Sequence, residues 1–151
     1  MADFLENLGP DPNRFLIHGT AVAGWGSGIL IVGASGSGKS ALALSLMAFG
    51  ADLIADDRVF VSTNDGLELQ RPNQIKDQIE ARGLGVLKAN SIHKHALNLI
   101  LELSQTAEDR LPQAKTHHLL GQSVAHLKIN AGRANPAAIV QWMKCGFHNQ
   151  D

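Results

Sequence analysis

Cysteine is nearly missing from this sequence, tyrosine is wholly missing, and neither sign of charge predominates. The single Cys145 excludes an internal disulfide framework, and a lone thiol suits a reducing compartment. Near the end of an apolar helical run it reads as a packing residue, not a nucleophile. Thirteen basic against fourteen acidic residues leave a net charge of −1, which gives the molecule as a whole no pull toward nucleic acid or an anionic membrane. No apolar run approaches the ~20 residues needed to cross a bilayer. The opening MADFLENLGPDPNRF has neither the basic start nor the apolar centre of a secretion signal. A soluble, cytoplasmic protein is therefore expected. Without an H-E-x-x-H helix or a neighbouring cysteine, the pairs His93/His95 and His117/His118 read as surface loop residues and not as zinc ligands.

What is present is an ordinary globular balance, 44% hydrophobic and 18% charged over 151 residues, enough for one sizeable core. We expect an N-terminal arm or short helix over 1–13 and a single domain over 14–151. RFLIHGTAV (14–22) reads as a strand, the Gly-rich stretch 24–28 as a turn, and the continuously apolar GILIVG (28–33) as a strand buried on both faces and paired with the first as a hairpin. KSALALSLMAF (39–49) reads as a helix ended by Gly50. Strands are expected over 51–55 and 58–62, then a turn at Asn64-Asp65-Gly66 and the strand-like LELQ. Leu97, Leu99, Leu101 and Leu103 recur at period two, so 96–103 is expected as a strand despite leucine's helix propensity. A polar loop follows over 104–116, then a strand at 123–130 and a helix with Asn135 as cap and Pro136 at its first position. The sum is an α/β fold, a mixed sheet with few helices.

Gly33-Ala34-Ser35-Gly36-Ser37-Gly38-Lys39-Ser40 fits G-x-x-x-x-G-K-[ST] throughout, with an apolar strand before it and a helix after it. Glycines let backbone N–H groups curl around phosphate oxygens with no Cβ in the way, and the new helix turns its positive end to the same anion. Lys39 is placed for the β/γ-phosphates, and the Ser40 hydroxyl for a magnesium ion.

The acidic doublet Asp56-Asp57 follows from chain lengths. Eleven helical residues at 1.5 Å run about 16 Å away from the loop, and five strand residues at 3.3 Å run about 16 Å back. The doublet should surface at the same sheet edge as the phosphate loop, outside the carboxyl ends of the strands where such sheets bind ligands. There a carboxylate can take a proton from an attacking hydroxyl or help hold magnesium. Extended backbone would turn the two acids to opposite sides. Trp25 is placed either to cover the nucleotide or to seal the hairpin.

The stretch IHGTAVAGWGSGILIVGASGSGKSALALSLMAFGADLIADDRV, with IEARGLGVL (79–87) downstream, resembles the catalytic domain of HPr kinase/phosphorylase. The resemblance implies a fold related to the nucleotide-binding part of phosphoenolpyruvate carboxykinase. It also implies an ATP- and Mg2+-dependent serine kinase acting on the phosphocarrier HPr, which in many members reverses the reaction by phosphorolysis and which commonly assembles as a hexamer. Longer members carry a further N-terminal domain, so the likeness is to the short, catalytic-domain-only form. Carried over by motif, His18, Lys39, Asp56 and Arg110 fall on catalytic positions, Asp56 as the base for the serine hydroxyl. Ser40 and Glu80 fall on magnesium positions, with Asp57 as a further candidate metal ligand. The family's phosphorolysis loop corresponds to 128–133, where Asn130 stands in place of a lysine; the resemblance thus bears more on the kinase half. Two other classes share the phosphate loop: a small-molecule kinase, and a nucleotide-binding regulatory module without turnover.

Overall fold

The computed structural model describes residues 5–6, 13–63, 65–74, 77–105 and 115–148. Thirteen strands and two α-helices follow in the order β1 (Leu5–Glu6), β2 (Arg14–His18), β3 (Thr20–Gly24), β4 (Ser27–Gly33), α1 (Lys39–Ala48), β5 (Asp52–Ala55), β6 (Arg58–Thr63) and β7 (Leu67–Gln70). They continue with β8 (Gln78–Ala81), β9 (Gly85–Lys88), β10 (Lys94–Ala96), β11 (Leu99–Ser104), β12 (Lys115–Leu119), β13 (Gln122–Asn130) and α2 (Pro136–Cys145). The mixed fold with few helices is as expected. Of the arm, Leu5–Glu6 pairs antiparallel with β2; residues 1–4 and 7–12 lie outside the described residues.

Three layers result. An outer sheet has the order β1-β2-β6-β7-β10, and a central sheet the order β12-β13-β11-β4-β3-β5. Strand β4 shows why the central sheet needs cover on both faces. Its Leu30 and Val32 join Ile17, Val59, Val61 and Ile100 between the sheets. Its Ile29 and Ile31 join Leu42, Ala43 and Leu46 of α1 and Val140 and Met143 of α2 on the other side. A strand apolar at every position fits only such a doubly covered place.

Two expected strands prove to be four. RFLIHGTAV breaks at Gly19, whose N–H donates to the Asp57 carbonyl at 3.0 Å; a Cβ there would lie 2.8 Å from the Ile31 carbonyl oxygen. The bend sends β2 to the outer sheet and β3 to the central one, and it is β3 that forms the hairpin with β4. Trp25 and Gly26 close that hairpin with φ of 52° and 83°, the doubly positive turn that matches strand twist. The run 96–103 breaks at Asn98 in the same way. Leu99, Leu101 and Leu103 keep their period on the helix-facing core, while Leu97 belongs to the core between the sheets. Lys94 and His95, expected in a loop, lie in β10. Residues 106–114, most of the expected polar loop and with it Arg110, lie outside the described residues.

His117 departs from its expected surface loop. It sits on β12 with its ring edge against His126, centroids 5.4 Å apart, and His126 Nε2 is 2.9 Å from Glu102 Oε1. Burial first, and then His126, lower the His117 pKa from its ordinary 6.5. In the unfolded chain the ring takes a proton at about pH 6.5, in the folded chain only at lower pH, so its contribution to stability is lost as pH falls through that window. Urea midpoints should therefore drop on acidification from pH 7 to 5.5, and His117→Gln should drop less. Equal slopes for the two proteins would contradict this.

Candidate active site

Strand β4 ends at Gly33, and the chain wraps through Gly36 and Gly38 at φ of 80° and 105° before α1 starts at Lys39. No side chain caps α1, so its first N–H groups are left for an anion. Lys39 Nζ donates to the carbonyls of Gly33 (2.9 Å) and Ala34 (3.0 Å) across the loop. Burial pulls its pKa below the ordinary lysine value, against the opposing pull of Asp57 and then Asp56. The Ser37 hydroxyl is buried under the loop with no hydrogen-bond partner among the described residues.

Helix α1 and strand β5 return the acidic doublet to the phosphate loop. Strands β4 and β5 both run antiparallel to β3, so they point the same way and end at one edge, with β3 between them. Asp56 Oδ1 accepts from the Ser40 hydroxyl at 2.6 Å and from the Thr20 hydroxyl at 2.9 Å. Its Oδ2 accepts from the backbone N–H of Glu80 at 2.9 Å. Asp57 turns the other way at φ 73°, with Oδ1 3.7 Å from His18 Nδ1 and Oδ2 3.9 Å from Arg58 Nε. His18, at the end of β2, is carried to this edge by the Gly19 bend.

Glu80 and Arg82 come from the β8–β9 hairpin. Ile79 and Ala81 are buried, with Ile79 in the helix-facing core, and this alternation leaves Glu80 and Arg82 on the open side. Arg82 Nη2 lies 3.9 Å from where a Cβ on Gly36 would sit, which puts a guanidinium beside the phosphate loop. No Glu80–Arg82 ion pair forms among the described residues. Thr20 and Arg82 are the site residues that sequence reasoning passed over. A hydroxyl in an otherwise apolar strand, and the alternation I-E-A-R before Gly83, were the available signals.

Two clefts meet here. One of about 350 Å3 holds His18, Thr20, Ser35, Gly36, Lys39, Ser40, Asp57, Glu80 and Arg82. The other, of about 380 Å3, holds Asp56, Asp57, Arg58, Gln78, Glu80 and Val86. Asp57 and Glu80 stand in both. Among the described residues no three His, Cys, Asp or Glu converge as a metal cage. Ser40, Asp56, Asp57 and Glu80 are hard oxygen donors strung along the wall, which fits magnesium, a cation that takes one or two protein oxygens and completes its shell with phosphate and water. Trp25 is not at this site: it packs by Gly50, with Lys144 Nζ 5.4 Å from its ring centroid, at the opposite end of β4. Asn130 caps the turn after β13, its Oδ1 accepting from Gly132 N–H at 2.8 Å.

The sequence and the fold are both similar to those of known proteins. The HPr Serine kinase C-terminal domain model matches residues 12–148. The HPr kinase/phosphorylase of Aromatoleum aromaticum is 40% identical over 137 residues, covering 80% of this chain and 44% of that protein. That of Bordetella pertussis is 40% identical over 141 residues, 83% of this chain and 46% of that protein. That of Thermoanaerobacter sp. strain X514 is 36% identical over 114 residues, 70% and 36%. The chain thus spans less than half the length of these curated relatives. The solved structure of the Hpr(Ser) kinase/phosphatase from Coxiella burnetii shares the fold, with a TM-score of 0.73 and 24% identity over 83% of this chain and 86% of that one. The chain belongs to the HPr serine kinase C-terminal domain family.

Proposed function

We propose that residues 14–151 act as one catalytic domain, a cytoplasmic protein serine kinase that transfers the γ-phosphoryl group of ATP to an HPr-like phosphocarrier protein. The observation that carries this reading is the Ser40–Asp56 hydrogen bond of 2.6 Å where the two clefts meet. It joins a phosphate loop on one side to an acid facing a second, open cleft on the other. The loop N–H groups, Lys39 and Arg82 hold the triphosphate. The acceptor serine enters from the second cleft, and its hydroxyl proton passes to Asp56. Its oxygen bonds to the γ-phosphorus as the bond to the β,γ-bridging oxygen breaks, releasing ADP. Ser40, Glu80 and Asp57 are the residues that would hold magnesium, which when bound neutralises charge on the triphosphate oxygens. His18 lies within reach of Asp57 and steadies its carboxylate. Phosphorolysis would run the same path backward, with protonated Asp56 as the acid. Family resemblance supports the carrier, Arg110 as a further catalytic cation, and a homo-hexameric assembly.

One observation favours a second assignment of the base. Both Asp56 oxygens already accept hydrogen bonds from the protein, whereas Asp57 is 62% exposed and stands in both clefts. In that assignment Asp56 orients Ser40, and Asp57 takes the proton.

Incubation of the purified chain with γ-labelled ATP, magnesium and a panel of HPr-like carriers tests the function. Label on a carrier serine is the expected result. Labelled small molecules without labelled protein would mean a small-molecule kinase, and no turnover a regulatory module. In the same assay Arg82→Ala should lower kcat by roughly 10²-fold, the usual cost of one donor aimed at developing charge. An unchanged kcat would remove Arg82 from the site.

A further inference from the structure

We propose that Ser91 is a positioning residue for phosphoryl transfer: with Arg71 and Asp77 it clasps the foot of the β8–β9 hairpin and sets where Glu80 and Arg82 stand against the phosphate loop. This rests on the reading of Glu80 and Arg82 as parts of the kinase site and deepens it by naming what holds them there.

The hairpin needs such a hold. Among the described residues β8 and β9 pair with each other and join neither larger sheet, and a lone two-stranded hairpin is marginally stable in water. Ile79 and Ala81 bury one side of it, but apolar contact is non-directional and leaves tilt and slide along α1 free. Directional bonds must fix those. One is the Glu80 N–H bond to Asp56, inside the site itself. Others lie at the foot.

There the Ser91 hydroxyl spends its whole bonding capacity. It donates to Asp77 Oδ1 at 2.8 Å and accepts from Arg71 Nη1 at 2.7 Å and from the Asp77 N–H at 3.2 Å. One donor and two lone pairs are all that a hydroxyl has. The Ser91 backbone joins in, its N–H donating to Asp77 Oδ1 at 3.2 Å and its carbonyl accepting from Arg71 Nη1 at 3.1 Å. The Ala89 N–H donates to the Asp77 carbonyl at 3.0 Å, closing the hairpin one step beyond the Gln78–Lys88 pair. The clasp is anchored on two sides. The Arg71 side chain is only 16% exposed, and its backbone N–H donates to the His93 carbonyl, continuing the β7–β10 pairing of the outer sheet. The Ile92 N–H donates to the carbonyl of Leu53 on β5, the strand that delivers Asp56. Glu80 stands three residues from Asp77, about 10 Å along an extended strand. A slight tilt at the foot is therefore a large shift at the site, where a misplacement of about 1 Å can cost 10²-fold in rate.

Ser91→Ala, Ser91→Thr and Arg82→Ala, made in the full chain and compared in the carrier-phosphorylation assay, test the assignment. Ser91→Ala should lower kcat about 10-fold and leave KM for ATP within about threefold, because the phosphate loop is untouched. Ser91→Thr keeps the hydroxyl and should retain roughly half of the wild-type kcat or more. A residue that acts through the hairpin adds little once Arg82 is gone, so Ser91→Ala on top of Arg82→Ala should cost about threefold or less. Hydrogen exchange is the second readout. The Asp77, Ala89 and Ser91 amides of the wild type should be protected about 10²-fold or more, and Ser91→Ala should speed exchange over 78–88 about 10-fold while β4 stays unchanged. Unprotected amides at the foot of the wild type would overturn the clasp, whether or not any variant folds. So would an unchanged kcat in Ser91→Ala, a loss that Ser91→Thr fails to restore, or losses that multiply with Arg82→Ala. A wild type that is protected at the foot yet phosphorylates no carrier sinks the kinase reading instead, and exchange over 78–88 in Ser91→Ala then decides the clasp alone.

Discussion

Asp56→Asn is expected to slow phosphoryl transfer to the carrier serine by roughly 10²–10⁴-fold, the span for removing a positioned proton acceptor, while ATP affinity changes severalfold at most. The amide keeps the carboxylate's shape, and its oxygen can still accept from the Ser40 and Thr20 hydroxyls. Its NH2 would then face the Glu80 N–H, donor against donor, where the carboxylate now accepts at 2.9 Å. Leaving that group unsatisfied costs about 1–3 kcal/mol, so the β8–β9 hairpin should also exchange its amide hydrogens faster. Asp57→Asn is the control that separates the two assignments of the base. If Asp56 takes the proton, Asp57→Asn should raise the magnesium requirement and leave the saturated single-turnover rate within about tenfold of wild type. If Asp57 takes it, the large rate loss moves to Asp57→Asn, and Asp56→Asn shows mainly a raised magnesium requirement.

The part of this site legible in the sequence is the part set by local rules. The phosphate loop declares itself by glycine spacing, and the Asp56 position by the near equality of helix rise and strand return. Sequence periodicity does not report pairing between distant segments, and the unforeseen features all depend on it. Nothing local says that Thr20 will meet Asp56, 36 residues on, or that the Glu80 N–H will cap the same carboxylate. The breaks at Gly19 and Asn98 escaped notice for a related reason. Both flanks of each break are apolar and β-prone, so a run that serves two sheets reads as one long strand. His117 shows the converse: flanked by polar residues it reads as exposed, yet the antiparallel pairing of β12 with β13 lays it against His126.

Gly28 is where the division between the two sheets should be most sensitive, and Gly28→Ala is expected to cost about 3 kcal/mol or more. A Cβ at this position would overlap the Ala96 carbonyl oxygen and lie 2.9 Å from His95 Nδ1. The obstacle is backbone, so it cannot swing aside as a flexible side chain would. The same residue is clamped to Asn98 twice: Gly28 N–H donates to Asn98 Oδ1 at 2.8 Å, and Asn98 N–H donates to the Gly28 carbonyl at 2.8 Å. Pushing the strands apart adds overpacking of about 1–3 kcal/mol to the loss of two hydrogen bonds at about 0.5–1.5 kcal/mol each. For a chain of this size the melting temperature should fall by about 6–12 °C. Gly26→Ala, two residues away, is the comparison. It has open space around it and only a φ of 83° against it, a backbone penalty of roughly 1–2 kcal/mol. Should the two variants melt together, the close approach of β4 to the Ala96–Asn98 crossover would not be what holds the two sheets in register.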